Sequence, residues 1–319
     1  MKLFLYISSF IIVCLAPFMG EINLDFNEIF NTSSTTYTIF WDLRVSRVVL
    51  AFFVGGILAL GGLIFQIIFK NQLITPYTLG IASGTTLFTA ISIVFFPAMY
   101  MPISSVMGSL VTILILYFIS KQINKSSIAV STNSILLIGI ALSYFYSSAL
   151  MLVFYMSNLQ ENYSIVRFTL GSLDTVGFTS ALIIMAVSVI FYAVIYSNKE
   201  KIKLLLICND TAFLKGLNVH KINLILLIVV SLSVGVCISF VGPIGFIGLV
   251  VPHIIKLIYK QSADKLFFPV FFFGGIFLVF SDLISRNLNT DSSLPIGVVT
   301  AFIGAPFFVY LLVRRSKVK

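Results

Sequence analysis

Charge is what this sequence has least of. Asp, Glu, Lys and Arg make up 10% of 319 residues, where a soluble domain carries roughly 25%. With so few charges and so many apolar residues, a water-soluble domain is excluded. Two histidines and three cysteines leave little metal or thiol chemistry. Cys14, Cys208 and Cys237 show no CxxC spacing, so neither a disulfide framework nor a metal site is indicated. HExxH, GxGxxG and GxxxxGK[ST] are all missing, which removes support for zinc hydrolysis and for nucleotide binding by this chain. No cofactor is expected, and a membrane-embedded enzyme lacks its catalytic groups.

What the chain does have is long apolar runs. Hydrophobic residues make up 59% and the mean hydropathy is +1.09. A helix needs about 20 apolar residues to cross the hydrocarbon core, and helices satisfy their own backbone there. Runs such as Ile183–Tyr196 and Val298–Val313 do not alternate, as strands of a membrane barrel would. The reading is an all-α polytopic membrane protein, a single transmembrane domain over residues 1–319. Ten spans are expected at about Leu3–Gly20, Val45–Phe69, Leu79–Pro97, Met101–Ser120, Ser134–Met156, Gly177–Tyr196, Ile222–Val241, Ile244–Tyr259, Leu266–Ile284 and Leu294–Val313. The eighth is short, crossing partway or tilting. The first lacks a small-x-small cleavage site after Ala16-Pro17 and reads as a retained helix rather than a signal peptide.

Basic residues set the expected orientation. With ten spans both termini share a side. Placing them in the cytoplasm puts sixteen Lys and Arg inside and four outside: Arg44, Arg47, Arg167 and Arg286. That asymmetry accounts for the net charge of +9 without a nucleic-acid partner. Two loops stand out. Glu21–Asp42 is acidic and turn-rich and has room for a short helix. Ser197–Lys221 is basic; Asn209-Asp210-Thr211 offers helix-capping chemistry and Gly216 a stop. These residues fit either a docking helix or a solvated connector.

Small residues at four-residue spacing, Ala51, Gly55 and Ala59, then Gly80 and Gly84, predict close helix packing. Gly242-Pro243, Pro252 and Pro306 predict interrupted helices, which fit a transport path or plain structural bends. Asp282 is the one acid well inside the apolar runs, four residues before Arg286, so the two can pair on one helical face. An ion-coupled secondary transporter usually needs more intramembrane ionisable groups than this.

Several motifs then carry a resemblance. Arg44-Val45-Ser46-Arg47, Gly61–Gln66 and Asn71–Gly84 are similar to the opening signature of the iron–siderophore and cobalamin permease family (FecCD-type). Ile135–Ser143, Leu170–Leu173, Ser239–Ile254, Ser281–Arg286 and Leu294–Phe307 resemble its later segments in the same order, over about 260 residues. Two positions depart: Ser46 and Gln72 stand where proline is usual. The resemblance implies a ten-helix permease subunit of a type II ABC importer in the bacterial cytoplasmic membrane. It would pair with a second permease, identical or related, and with cytoplasmic ATP-binding subunits. A periplasmic or lipid-anchored siderophore-binding protein would deliver cargo. Ferric siderophore is the first expected substrate, with haem and cobalamin behind it; an ion-coupled secondary transporter is the reading from another class.

Position by position, the resemblance implies that Arg44, Arg47 and Arg286 receive acidic residues of the binding protein. It assigns Asn209, Asp210, Leu214, Gly216 and His220 to the loop that docks into the ATPase. Thr132 and Asn133 correspond to a cytoplasmic gate, or simply cap the helix they open.

Overall fold

Helix accounts for nearly all regular structure in the computed structural model, which describes residues 2–20, 25, 27–97, 101–123, 132–207, 215–288 and 294–316. The helices are α1 (Lys2–Leu15), α2 (Ser46–Ile68), α3 (Ile81–Phe95), α4 (Met101–Ile123), α5 (Thr132–Met156), α6 (Leu159–Leu170), α7 (Thr179–Ser197), α8 (Lys199–Ile207), α9 (Val219–Val241), α10 (Ile247–Tyr259), α11 (Phe267–Asn287) and α12 (Ile296–Ser316). Among the described residues six helices are long and apolar enough to cross a membrane, and four apolar helices are shorter. Each expected span falls on one of these ten. The eighth is indeed short: α10 has 13 residues.

The core is organised around α2. Its helical run begins at Thr35, passes through a π-helical segment at Thr38–Val45 and continues to Ile68. Within it, 83% of the most apolar window is buried, against 17% for α5 and 28% for α7. An apolar helix buried on all sides is a core helix, and α2 packs against α11, α10, α7 and α9. Small residues permit the approach. A Cβ on Gly55 would stand 2.3 Å from the Gly274 carbonyl oxygen, and one on Gly62 would stand 2.1 Å from that of Gly248. Such gaps let backbones meet where lipid supplies no hydrophobic force between helices. Gly84 does the same for α3 against Thr112 of α4.

Of the expected interruptions only the one at Gly242-Pro243 is present; the helices run unbroken through Pro252 and Pro306, and at Pro252 the lost bond is repaired. At Gly242 the backbone turns with φ +70, which favours glycine, and the chain runs without helix to Phe246 before α10 begins. Pro252 then lies inside α10. A proline has no N–H to give the carbonyl four residues back, here Gly248. Gln66 Nε2 of α2 donates to that oxygen at 3.2 Å, and Lys256 Nζ donates to Gln66 Oε1 at 2.9 Å. One α2 side chain therefore satisfies the carbonyl that proline orphans and anchors the half-buried lysine of the same helix.

Both proline departures keep their turns. The Ser46 hydroxyl donates to the Asp42 carbonyl at 2.5 Å, and Gly177 N–H reaches the same oxygen at 2.8 Å. That oxygen is thus satisfied without the α-helical bond that a proline at 46 would remove. Near Gln72, Asn71 makes the turn itself by accepting the Leu73 N–H on its side chain at 2.9 Å.

Two helices lie outside the expected elements: one where the reading had a loop, and one in the basic insert, upstream of the helix expected near Asn209–Gly216. α6 follows the fifth span and carries a full capping box: Glu161 N–H donates to Asn158 Oδ1 and Asn158 N–H to Glu161 Oε2, both at 2.9 Å. The Asn-x-x-Glu spacing was the available signal. α8 extends the chain beyond α7 into the basic insert, after a break at Asn198.

Candidate functional site: an arginine and aspartate chain at one end of the bundle

The expected docking arginines sit close together, yet not as free cations. Arg44 and Arg47 lie on the last π-helical turn and first α-helical turn of the run into α2; Arg286 is in the last turn of α11. Arg44 is buried, and its Nη1 reaches the Pro17 carbonyl at 3.3 Å and that of Phe18 at 3.5 Å. Arg286 reaches the Ala16 and Met19 carbonyls, both at 3.4 Å. These four carbonyls close the end of the α1 segment, where the dipole favours cations and helix geometry leaves acceptors with spare capacity, Ala16 also accepting the Met19 N–H. Two arginines from distant parts of the chain thus cap the same helix end.

Arg47 does something different: it bridges two acids. Its Nε donates to Asp282 Oδ1 at 2.7 Å, and its Nη1 pairs with Asp174 Oδ1. Asp282 Oδ2 in turn stands 3.1 Å from Arg286 Nε, an ion pair by distance without hydrogen-bond alignment. On the far side of Asp174 is Arg167 of α6, 3.6 Å from Oδ2. Ser172 also donates to Asp174 Oδ2 at 2.7 Å. The result is an alternating chain, Arg286–Asp282–Arg47–Asp174–Arg167, drawn from α11, α2, the α6–α7 loop and α6.

Exposure grows outward from Asp282 towards Arg167. From Arg286 onward the side chains are 10, 0, 13, 33 and 60% accessible. Asp282 is fully enclosed and pinned by two guanidiniums, which compensates a charge that could not otherwise be buried. Asp174 sits at the boundary. Burial pushes its carboxyl up, but Arg47, Ser172 and Arg167 outweigh that and hold it below the ordinary carboxylate range. The chain holds three cations and two anions, and Arg44 adds another cation beside it. The cluster itself therefore carries net positive charge suited to an incoming carboxylate, within an end of the bundle whose neighbouring segments also bear Asp25, Glu28, Asp42 and Glu161.

The Asp282–Arg286 pairing follows the expected four-residue spacing. Arg47, Asp174 and Arg167 were not foreseen as members of the same chain; nothing local in the sequence joins residues 47, 174 and 282. No contact joins the other expected positions to this cluster among the described residues. Gly216 lies in an exposed turn before α9 with φ +79. His220 falls in the first turn of α9 and Thr132 and Asn133 open α5, but their side chains lie outside the described residues. Asn209, Asp210 and Leu214 lie wholly outside them.

A second feature is a mostly apolar cavity of about 190 Å³ between the non-helical stretch before α3 and the start of α10, lined by residues including Leu58, Pro76, Tyr77, Thr78, Phe246 and Leu249. Among the described residues, no three His, Cys, Asp or Glu side chains gather as a metal site would require.

Helical membrane architecture and a bundle poor in titratable groups suit a membrane transport component. The chain belongs to the FecCD transport family, whose pattern it matches over residues 8–314. It is an ABC importer permease rather than an enzyme, with ATP hydrolysis in a separate subunit. It is 30% identical over 319 residues to the vitamin B12 import system permease protein BtuC of Vibrio cholerae, covering 98% of this chain and 93% of that one. It is also 30% identical over 285 residues to an iron chelatin transport system permease protein of Helicobacter pylori, covering 89% and 85%. Its fold matches a metal-chelate-type ABC transporter solved in an inward-facing conformation, with TM-score 0.84, 22% identity and coverage of 97% and 99%.

Proposed function

We propose that this permease carries ferric siderophore into the bacterial cytoplasm, with both termini on the cytoplasmic side and residues 1–319 acting as one transmembrane domain. The observation that carries the reading is the cationic chain at one end of the bundle. In this reading Arg44, Arg47 and Arg286 build the outer face that receives a carboxylate-bearing binding protein. Exposed ion pairs contribute only about 0–1 kcal/mol each, so the contact sets orientation and on-rate more than tight affinity.

At the opposite face, the loop holding Asn209, Asp210, Leu214, Gly216 and His220 docks into an ATP-binding subunit, and Thr132 and Asn133 stand at the inner gate. ATP closes two such subunits; the loop transmits their motion; the path between two permeases opens to one side or the other. A wide, weakly binding path suits a bulky wrapped chelate, because a ligand shifts a conformational equilibrium only through differential affinity. The iron chelatin relative supports the iron reading, and the vitamin B12 relative supports cobalamin as the second. The test is proteoliposome uptake with the ATPase and binding protein present, comparing radioiron-loaded siderophore with cobalamin. Siderophore uptake that needs ATP supports the proposal; cobalamin uptake alone replaces the substrate. Uptake that persists without the ATPase and collapses with an uncoupler would indicate ion coupling instead.

A further inference from the structure

We propose that Asp174 is an exchangeable carboxylate: it holds Arg47 in the resting permease, and on docking it passes to Arg167 while a carboxylate of the binding protein takes its place on Arg47. The inference rests on the docking role given above and specifies how that contact forms. Arg47 does not meet an incoming acid with an empty guanidinium: Asp282 holds its Nε and Asp174 its Nη1, so an acid that pairs with Nη1 takes the place of Asp174. Of these two acids only Asp174 can yield. Asp282 is fully enclosed on α11 and shared with Arg286, so moving it would strand two buried cations. Asp174 is one-third accessible and sits in the non-helical stretch between α6 and α7. That stretch ends at Gly177, where φ is +80 and a Cβ would meet nothing within 4 Å.

A destination is already in place. Arg167 is 60% accessible and 3.6 Å from Asp174 Oδ2, too long for a direct hydrogen bond but close enough to attract the carboxylate. If Asp174 turns towards Arg167, the pair Arg47–Asp174 is replaced by Arg47–partner and Arg167–Asp174. The number of ion pairs stays at four, the loose Arg167–Asp174 contact becomes a direct one, and no buried charge is uncovered. The chain of three arginines and two aspartates begins with one cation in surplus, so the partner's acid is the charge that balances it.

The test is a double-mutant cycle on the permease–ATPase complex in nanodiscs, titrated with fluorescently labelled binding protein at low ionic strength. Asp174→Asn removes the competitor and is expected to tighten docking about 3- to 10-fold. Arg167→Gln removes the destination and is expected to weaken docking about 3-fold in the wild-type background, with the loss vanishing in Asp174→Asn. Ser172→Ala, which frees Asp174 of its 2.7 Å hydrogen bond without changing charge, is expected to tighten docking to a smaller degree. Equal or weaker docking of Asp174→Asn would overturn the exchange. So would an Arg167→Gln loss that persists undiminished beside Asp174→Asn, since Arg167 would then touch the partner directly. Arg47→Lys, checked for folding by its elution profile, separates the two claims: unchanged docking in that variant sinks the docking role itself, whereas weakened docking leaves only the exchange at issue.

Discussion

Asp282 is enclosed between Arg47 and Arg286, and a buried acid that neutralises two arginines is costly to remove. Asp282→Asn is expected to destabilise the permease by about 3–5 kcal/mol, seen as a large fall in the thermal unfolding midpoint in detergent. An unchanged midpoint would mean that Arg47 and Arg286 do not depend on it. Asp174 answers pH in a defined direction. Its carboxyl is held below the ordinary range, so its contribution to stability is fully present above the unfolded value of about 4 and is lost as pH falls through the lower folded value. Thermal midpoints of wild type and Asp174→Asn should therefore differ by a constant amount from pH 5 to 8 and converge only below about pH 4. At this scale the sequence showed the pair that one helix turn creates, Asp282 with Arg286. It could not show Arg47 joined to Asp282 across 235 residues, because that proximity arises from the packing of α2 on α11.

Helix against helix, the contact of α2 with α10 combines close approach and polar repair. Gln66 serves both the carbonyl freed by Pro252 and the ammonium of Lys256. Gln66→Leu is expected to lower stability by about 1–3 kcal/mol, the usual cost of unsatisfied buried groups. Pro252→Ala in that background should recover part of the loss, since an alanine N–H can reach the Gly248 carbonyl; a thermal unfolding cycle measures both, and additive losses would refute the pairing. Two glycines give a cleaner contrast. Gly62→Ala would drive a Cβ into the Gly248 backbone, whereas Gly245 has nothing within 4 Å. The first should cost about 1–3 kcal/mol by overpacking and the second close to nothing. Gln66 was legible in the sequence as part of a motif, and Pro252 as a helix breaker. That one repairs the other was not, because the two are 186 residues apart in the chain and meet only through helix crossing.

For the molecule in its membrane, orientation is the prediction that matters most. Lys215 lies in the exposed turn that leads into α9, so in a background with Cys14, Cys208 and Cys237 replaced by serine, a cysteine at 215 should react with an impermeant reagent only from the cytoplasmic side. Labelling from the exterior would invert the topology and with it the assignment of both docking faces.

The spans, their order and the break at Gly242-Pro243 were written in the sequence by itself, because hydropathy acts locally and lipid demands a helix wherever the apolar run is long enough; that the helices continue through Pro252 and Pro306 was not. The family motifs were legible there too. Only the tertiary structure decided that α2 is the buried centre while α5 and α7 stay largely uncovered, since burial depends on which helices meet and not on how apolar each one is. It also decided that the arginines are members of an alternating chain rather than open cations. Charges attract through space and are costly to bury alone, so their partners are chosen by the fold, from wherever along the chain it brings an acid within reach.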